Sequence, residues 1–115
     1  MASPDRRVKS NAELLIANWL FRNGITYQYE PKYEHDVATV QYRQYQPDFF
    51  LPESQLYIEH FGVDRDGRTA PGIDAEKYRA GMLWKHEVHQ KYGTRLVTTY
   101  TWELESVEAF LKKLE

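Results

Sequence analysis

Two carboxylates carry most of the chemical information in this sequence. Asp48 stands in Gln46-Pro47-Asp48-Phe49-Phe50, at the entrance to an apolar run, and Glu59 stands inside Leu56-Tyr57-Ile58-Glu59-His60-Phe61, the most strand-like stretch of the chain. Alternation along that strand puts Leu56, Ile58 and His60 on one face and Tyr57, Glu59 and Phe61 on the other. A carboxylate in such surroundings loses its hydration at a cost of several kcal/mol unless a cation or hydrogen-bond donors replace the water. Singly, Glu59 reads equally as an edge residue reaching solvent or an arginine, and Asp48 as an Asx-turn or strand cap after proline. As a pair on consecutive strands joined by a short turn, they can converge. A hard divalent cation relieves their mutual repulsion, with oxygen ligands and a substrate phosphate as the expected coordination set.

The elements that must position this pair are legible on both sides of it. Ser10 followed by Glu13 is a capping-box pattern, Leu14, Leu15, Trp19 and Leu20 follow at helical spacing, and Gly24 closes the helix. Residues 26–30 and 37–42 are expected as two short strands of aromatic and β-branched character, with a charged linker between them. A third strand begins after Pro47 and a fourth spans residues 56–61. Residues 62–74, rich in glycine and alternating charge, are expected as a mobile surface loop. Residues 75–92 form the longest helix, closed by Gly93. Arg95 to Tyr100 is a further strand, and a last helix begins near Ser106. Strands flanked by helices at both ends of the chain imply an α/β fold, a mixed central sheet with helices on both faces.

Composition narrows the function classes. The 115 residues suffice for one core and not two. Without cysteine, the chain has no disulfide framework, thiolate metal site or cysteine nucleophile. No apolar run approaches the ~20 residues that span a bilayer, and no secretory signal core is visible, so the expectation is a cytoplasmic, intracellular protein with no membrane partner. A net charge of −2 gives no global attraction to a polyanion. If DNA is the substrate, a local basic patch or a larger polypeptide must supply the affinity. Residues 1–9, with Arg6, Arg7 and Lys9, read as a flexible basic lead or the cut end of a longer protein, and residues 10–115 as a single domain.

With these residues in view, the chain resembles the PD-(D/E)XK nuclease superfamily: Pro47-Asp48, then Glu59 on an apolar strand, with a helix bearing Glu13 upstream. A narrower likeness is to nuclease-like domains attached to superfamily 1 helicases of the UvrD and helicase IV type. Its motifs are similar to Lys9-Ser10-x-x-Glu13, Tyr45-x-Pro47-Asp48-Phe49, Ile58-Glu59-His60-Phe61-Gly62 and Trp84-Lys85, in this order from Val8 to about Trp102. The resemblance implies a restriction-endonuclease-like αβββαβ core and Mg²⁺- or Mn²⁺-dependent hydrolysis of DNA, in repair or processing. Asp48, Glu59, the His60 backbone carbonyl and Glu13 would be the metal ligands, and a helicase domain in the same or a partner chain would be the neighbour. Whether the DNA is single-stranded, duplex or branched, and whether the chain forms a homodimer, stays open.

The chain departs from the family pattern at one position. The family places a lysine two residues after the glutamate, where this sequence has Phe61. In this superfamily the lysine can migrate to the following helix, which makes Lys85 the catalytic candidate and Lys77 the next. The competing reading of Lys85 is a solvated lysine with its stem over an aromatic. Glu13 reads equally as the N3 residue of its capping box, and His86 with His89 as a solvated helix face rather than a metal pair. Arg65, Arg68 and Lys77 are candidates for DNA contact, though interleaved with acids. The alternative to an enzyme is a decayed nuclease fold retained as a DNA-binding or scaffolding module.

Overall fold

The computed structural model describes Ser10–Glu115, so the expected basic lead over residues 1–9 lies outside the described residues. The first helix, α1 (Asn11–Arg22), starts where expected: the Ser10 hydroxyl accepts from the Glu13 amide at 3.1 Å. Gly24 follows its end at φ +69°, a left-handed conformation that a side chain would disfavour. Four strands follow the order β1 (Gln28–Tyr29), β2 (Phe49–Leu51), β3 (Leu56–Phe61) and β4 (Arg95–Tyr100), both along the chain and across one sheet. β1 and β2 are antiparallel, as are β2 and β3, whereas β3 and β4 are parallel. A parallel pair needs a long crossover. Here it is the loop over residues 62–74 plus α2 (Ala75–Tyr92), which is capped by the Asp74 side chain and ended by Gly93 at φ +69°. A short 3₁₀ turn (Thr101–Glu103) and α3 (Val107–Lys113) close the chain.

Alternation in β3 divides the core into two layers. Leu56 and Ile58 pack with Ile16, Leu20, Phe49 and Phe110, which is the side of α1 and α3. Tyr57 packs with Tyr33, Tyr45 and Val88 on the side of α2. The fold is therefore α/β, with a mixed four-stranded sheet and helices on both faces.

Two expected strands are corrected. Residues 37–42 form no strand, because side chains take the backbone groups a ladder would use. Gln44 Oε1 accepts from the Val37 amide at 2.9 Å, Asp36 from Ala38, and the Thr39 hydroxyl from Gln41 and Tyr42. Gln44 also donates to the Tyr33 and His35 carbonyls, pinning this loop from inside. The strand expected over 26–30 shrinks to Gln28–Tyr29, since its partner β2 has only three residues.

Candidate active site

Pro47 stands just before Asp48, beyond the end of the β2–β3 ladder. Continuing the β2–β3 register from Phe49↔Ile58 puts Pro47 opposite His60. Proline has no N–H, so the ladder offers the His60 carbonyl no donor there. The His60 amide for its part donates to the Asp48 side chain, 2.8 Å from Oδ2. That bond holds Asp48 beside Glu59, near enough for the Glu59 charge to act on it.

Glu59 is fully buried. Its Oε1 faces Lys85 Nζ of α2 at 3.3 Å, and its Oε2 accepts from the Tyr45 hydroxyl. Burial nevertheless wins and raises its pKa, against the opposing pull of Lys85 and these hydrogen bonds. Asp48 is pushed up to about 8, first by burial and then by the Glu59 charge, with the His60 amide and Lys85 opposing and Glu13 adding to the rise. Without an added cation the pair thus holds a proton near neutral pH.

Two further acids converge here, Glu13 from α1 and Glu30 from the end of β1. One ligand atom each of Glu13, Glu30 and Asp48 lies within 4.8 Å of the others. Glu13 belongs to the helix cap and also faces the strands. Its amide is capped by Ser10, while Oε1 accepts from the Tyr29 hydroxyl at 2.6 Å, turning the carboxylate toward the strands. Glu30 was missed by sequence reasoning. It adopts φ +50°, unusual for a residue with a side chain, with its amide bonded to the Asp48 carbonyl at 2.9 Å. Its signal lay in strand register: one step beyond Tyr29↔Phe49, Glu30 stands opposite Asp48.

Behind Glu59 runs a chain of hydrogen bonds, buried at Tyr45 and His89 and half-buried at Thr94. Tyr45 lies 3.0 Å from His89 Nε2, His89 Nδ1 lies 2.8 Å from the Thr94 hydroxyl, and Thr94 lies 2.5 Å from the Tyr33 hydroxyl. Because Tyr45 donates its proton to the Glu59 carboxylate, its oxygen accepts from Nε2–H of a neutral His89, and Nδ1 accepts from Thr94. Burial, then the nearby His86 and Lys85 charges, lowers His89 to about 4, consistent with that neutral ring. His89 is thus no solvated helix residue but a buried support of the Glu59 strand, a correction forced by the tyrosines packed around it.

The expected DNA contacts scatter. Arg68 is bound locally by Asp64 and Asp66, and Arg65 lies over the Trp102 ring at 5.0 Å. Lys77 alone joins Lys85, on the wall of a pocket along α2. His60 packs on the opposite face from Glu59, Nδ1 being 2.8 Å from Thr99.

The group of Glu13, Glu30 and Asp48 is all oxygen and anionic, which suits a hard divalent cation and no soft one, while Glu59 stands outside that group, next to Asp48. Among the described residues, no helix is long and apolar enough to cross a membrane. No family model, curated protein or solved structure matches the chain, so any assignment of function starts from these residues.

Proposed function

We propose that this chain is a Mg²⁺- or Mn²⁺-dependent nuclease domain of the PD-(D/E)XK type that hydrolyses phosphodiesters in DNA. The observation that carries the reading is the ammonium of Lys85, delivered from α2 to within 3.3 Å of Glu59 although the strand itself has Phe61 two residues on. The element order supports it: a helix, three antiparallel strands, a crossover helix and a parallel strand are what a restriction-endonuclease-like core requires.

Asp48, Glu59 and the His60 carbonyl would hold the cation, with Glu13 and Glu30 as inner or water-bridged ligands. Such a cation polarises a scissile phosphate and lowers the pKa of an attacking water. Lys85 does the rest of the electrostatic work, setting positive charge beside the position where negative charge grows on the phosphate. Tyr45 and His89 hold Glu59 in one orientation, so no reorganisation is needed during reaction. With a net charge of −2, the chain relies on a partner such as a helicase domain for most of its affinity for DNA.

One observation favours the scaffolding alternative: both oxygens of Glu59 are already engaged, by Lys85 and by Tyr45. Cleavage assays on single-stranded, duplex and branched DNA, with Mg²⁺ or Mn²⁺ and with a helicase partner, decide between the two. Metal-dependent cleavage that Glu59→Gln abolishes is the expected result. Cleavage equal in that variant removes Glu59 from the site, and cleavage absent on every substrate leaves the scaffold.

A further inference from the structure

A pocket of about 350 Å³ opens along α2 immediately beside the carboxylates, between that helix, Phe61 at the end of β3 and loop residues 72–74. Lys85 belongs to both places: its Nζ is 3.3 Å from Glu59 Oε1 and 5.7 Å from the centre of the Phe61 ring. The pocket therefore begins where the candidate site ends. Its volume lies at the small end of ligand sites, room for one nucleotide unit and not for a duplex.

Gly81 supplies part of the wall. Glycine inside a helix is unfavourable relative to alanine, and packing does not require it here, since an added Cβ would meet nothing within 4 Å. What the glycine leaves is space in the pocket. The other walls are Phe61, Met82 and the half-exposed Ile73, an apolar and polarisable lining that suits a flat π-system. Polar groups border it: Lys77 and Lys85 are cationic, Asp74 is anionic and accepts from the Lys77 amide at 3.2 Å as the helix cap, and Tyr78 accepts from the Gly62 amide at 2.8 Å, which leaves its hydroxyl proton to donate.

We propose that this pocket takes one unpaired nucleobase of the substrate strand, adjacent to the phosphodiester at Asp48 and Glu59, with Lys77 and Lys85 on the flanking phosphates. The proposal deepens the nuclease reading and rests on it for the placing of the phosphodiester. A base held in a duplex cannot enter without leaving its stack, so the pocket selects single-stranded, frayed or flapped DNA. It also accounts for Phe61, whose ring forms the pocket wall in the position where the family carries lysine.

The test is a nuclear magnetic resonance titration of the full chain with tetrathymidylate, and with the same oligonucleotide lacking its bases, each with and without Ca²⁺. Expected are shifts centred on Tyr78, Gly81 and Met82, and affinity at least about tenfold weaker for the abasic strand and for Gly81→Leu, as loss of one base contact implies. Gly81→Ala, which favours the helix and fills less space, should fall between. Equal affinity for intact and abasic strands, shifts elsewhere, or no binding would overturn the proposal. The abasic comparison needs no variant, so a misfolded Gly81→Leu does not rescue it. A Mn²⁺ titration of the same samples separates the two readings: base binding without any response to Mn²⁺ refutes the nuclease assignment alone, and the reverse refutes the pocket alone.

Discussion

Half-buried Asp48 stands beside fully buried Glu59, where two full negative charges repel strongly, and the chain without a cation answers by keeping a proton. That has a pH signature with a definite sign. Asp48 is raised from 3.8 to about 8, so the folded chain holds a proton the unfolded chain has lost over that interval. Its contribution to stability is complete below the unfolded value and disappears as pH rises through about 8. Melting curves of metal-free protein should therefore fall from pH 6 to pH 9, and Asp48→Asn, which cannot ionise but can still accept from His60, should flatten the decline. At pH 9 we expect the variant to gain at least about 1.4 kcal/mol on wild type, the value of one pKa unit. Parallel curves would mean that Asp48 is not the group concerned. Lys85→Met keeps the side-chain stem and deletes the charge. Its cleavage should drop at least about tenfold, or ~1.4 kcal/mol of transition-state stabilisation, with the fold intact. An unchanged rate would put the required charge elsewhere, Lys77 being next. Tyr45→Phe leaves the buried His89 N–H without its acceptor and should cost about 1–3 kcal/mol in denaturant melts, whereas wild-type stability would contradict the donor order Thr94, His89, Tyr45, Glu59.

At the scale of elements, legibility followed whether the backbone bonds close locally. The helices were readable because each carries its own caps: Ser10, Asp74 and Ser106 at the starts, Gly24 and Gly93 near the ends. β3 was readable from apolar alternation and β4 from its apolar centre at Leu96 and Val97. Residues 37–42 were not, although their β-branched and aromatic content suits a strand, because Gln44 and Thr39 compete for the same amides. Glu30 and His89 escaped for a related reason. One acquires its meaning from register with β2 and the other from tyrosines far away in sequence, neither of which a local pattern contains. Gln44 thus gives a direct test of the loop. Gln44→Ala should speed amide exchange at Val37 by at least about fivefold, equivalent to about 1 kcal/mol, while amides of the β2–β3 ladder keep their protection. Slow exchange at Val37 in that variant would show that other contacts hold the loop.

Across the whole molecule, one sheet with helices on both faces gathers Glu13 of α1, Glu30 just after β1 and Asp48 just before β2 into one group of oxygens, next to the Glu59–Lys85 pair of β3 and α2. The most direct test of that cluster is thermal melting of the chain against Mn²⁺ at pH 8, for wild type, Asp48→Asn and Glu59→Gln. Stabilisation grows as RT ln(1 + [L]/Kd), about 2.7 kcal/mol at a hundredfold excess over Kd. The expected result is a rise in melting temperature that saturates for wild type and vanishes in both variants, since each keeps its shape and loses the charge that offsets a divalent cation. No shift in wild type, or the same shift in all three proteins, would contradict a metal site at Asp48 and Glu59.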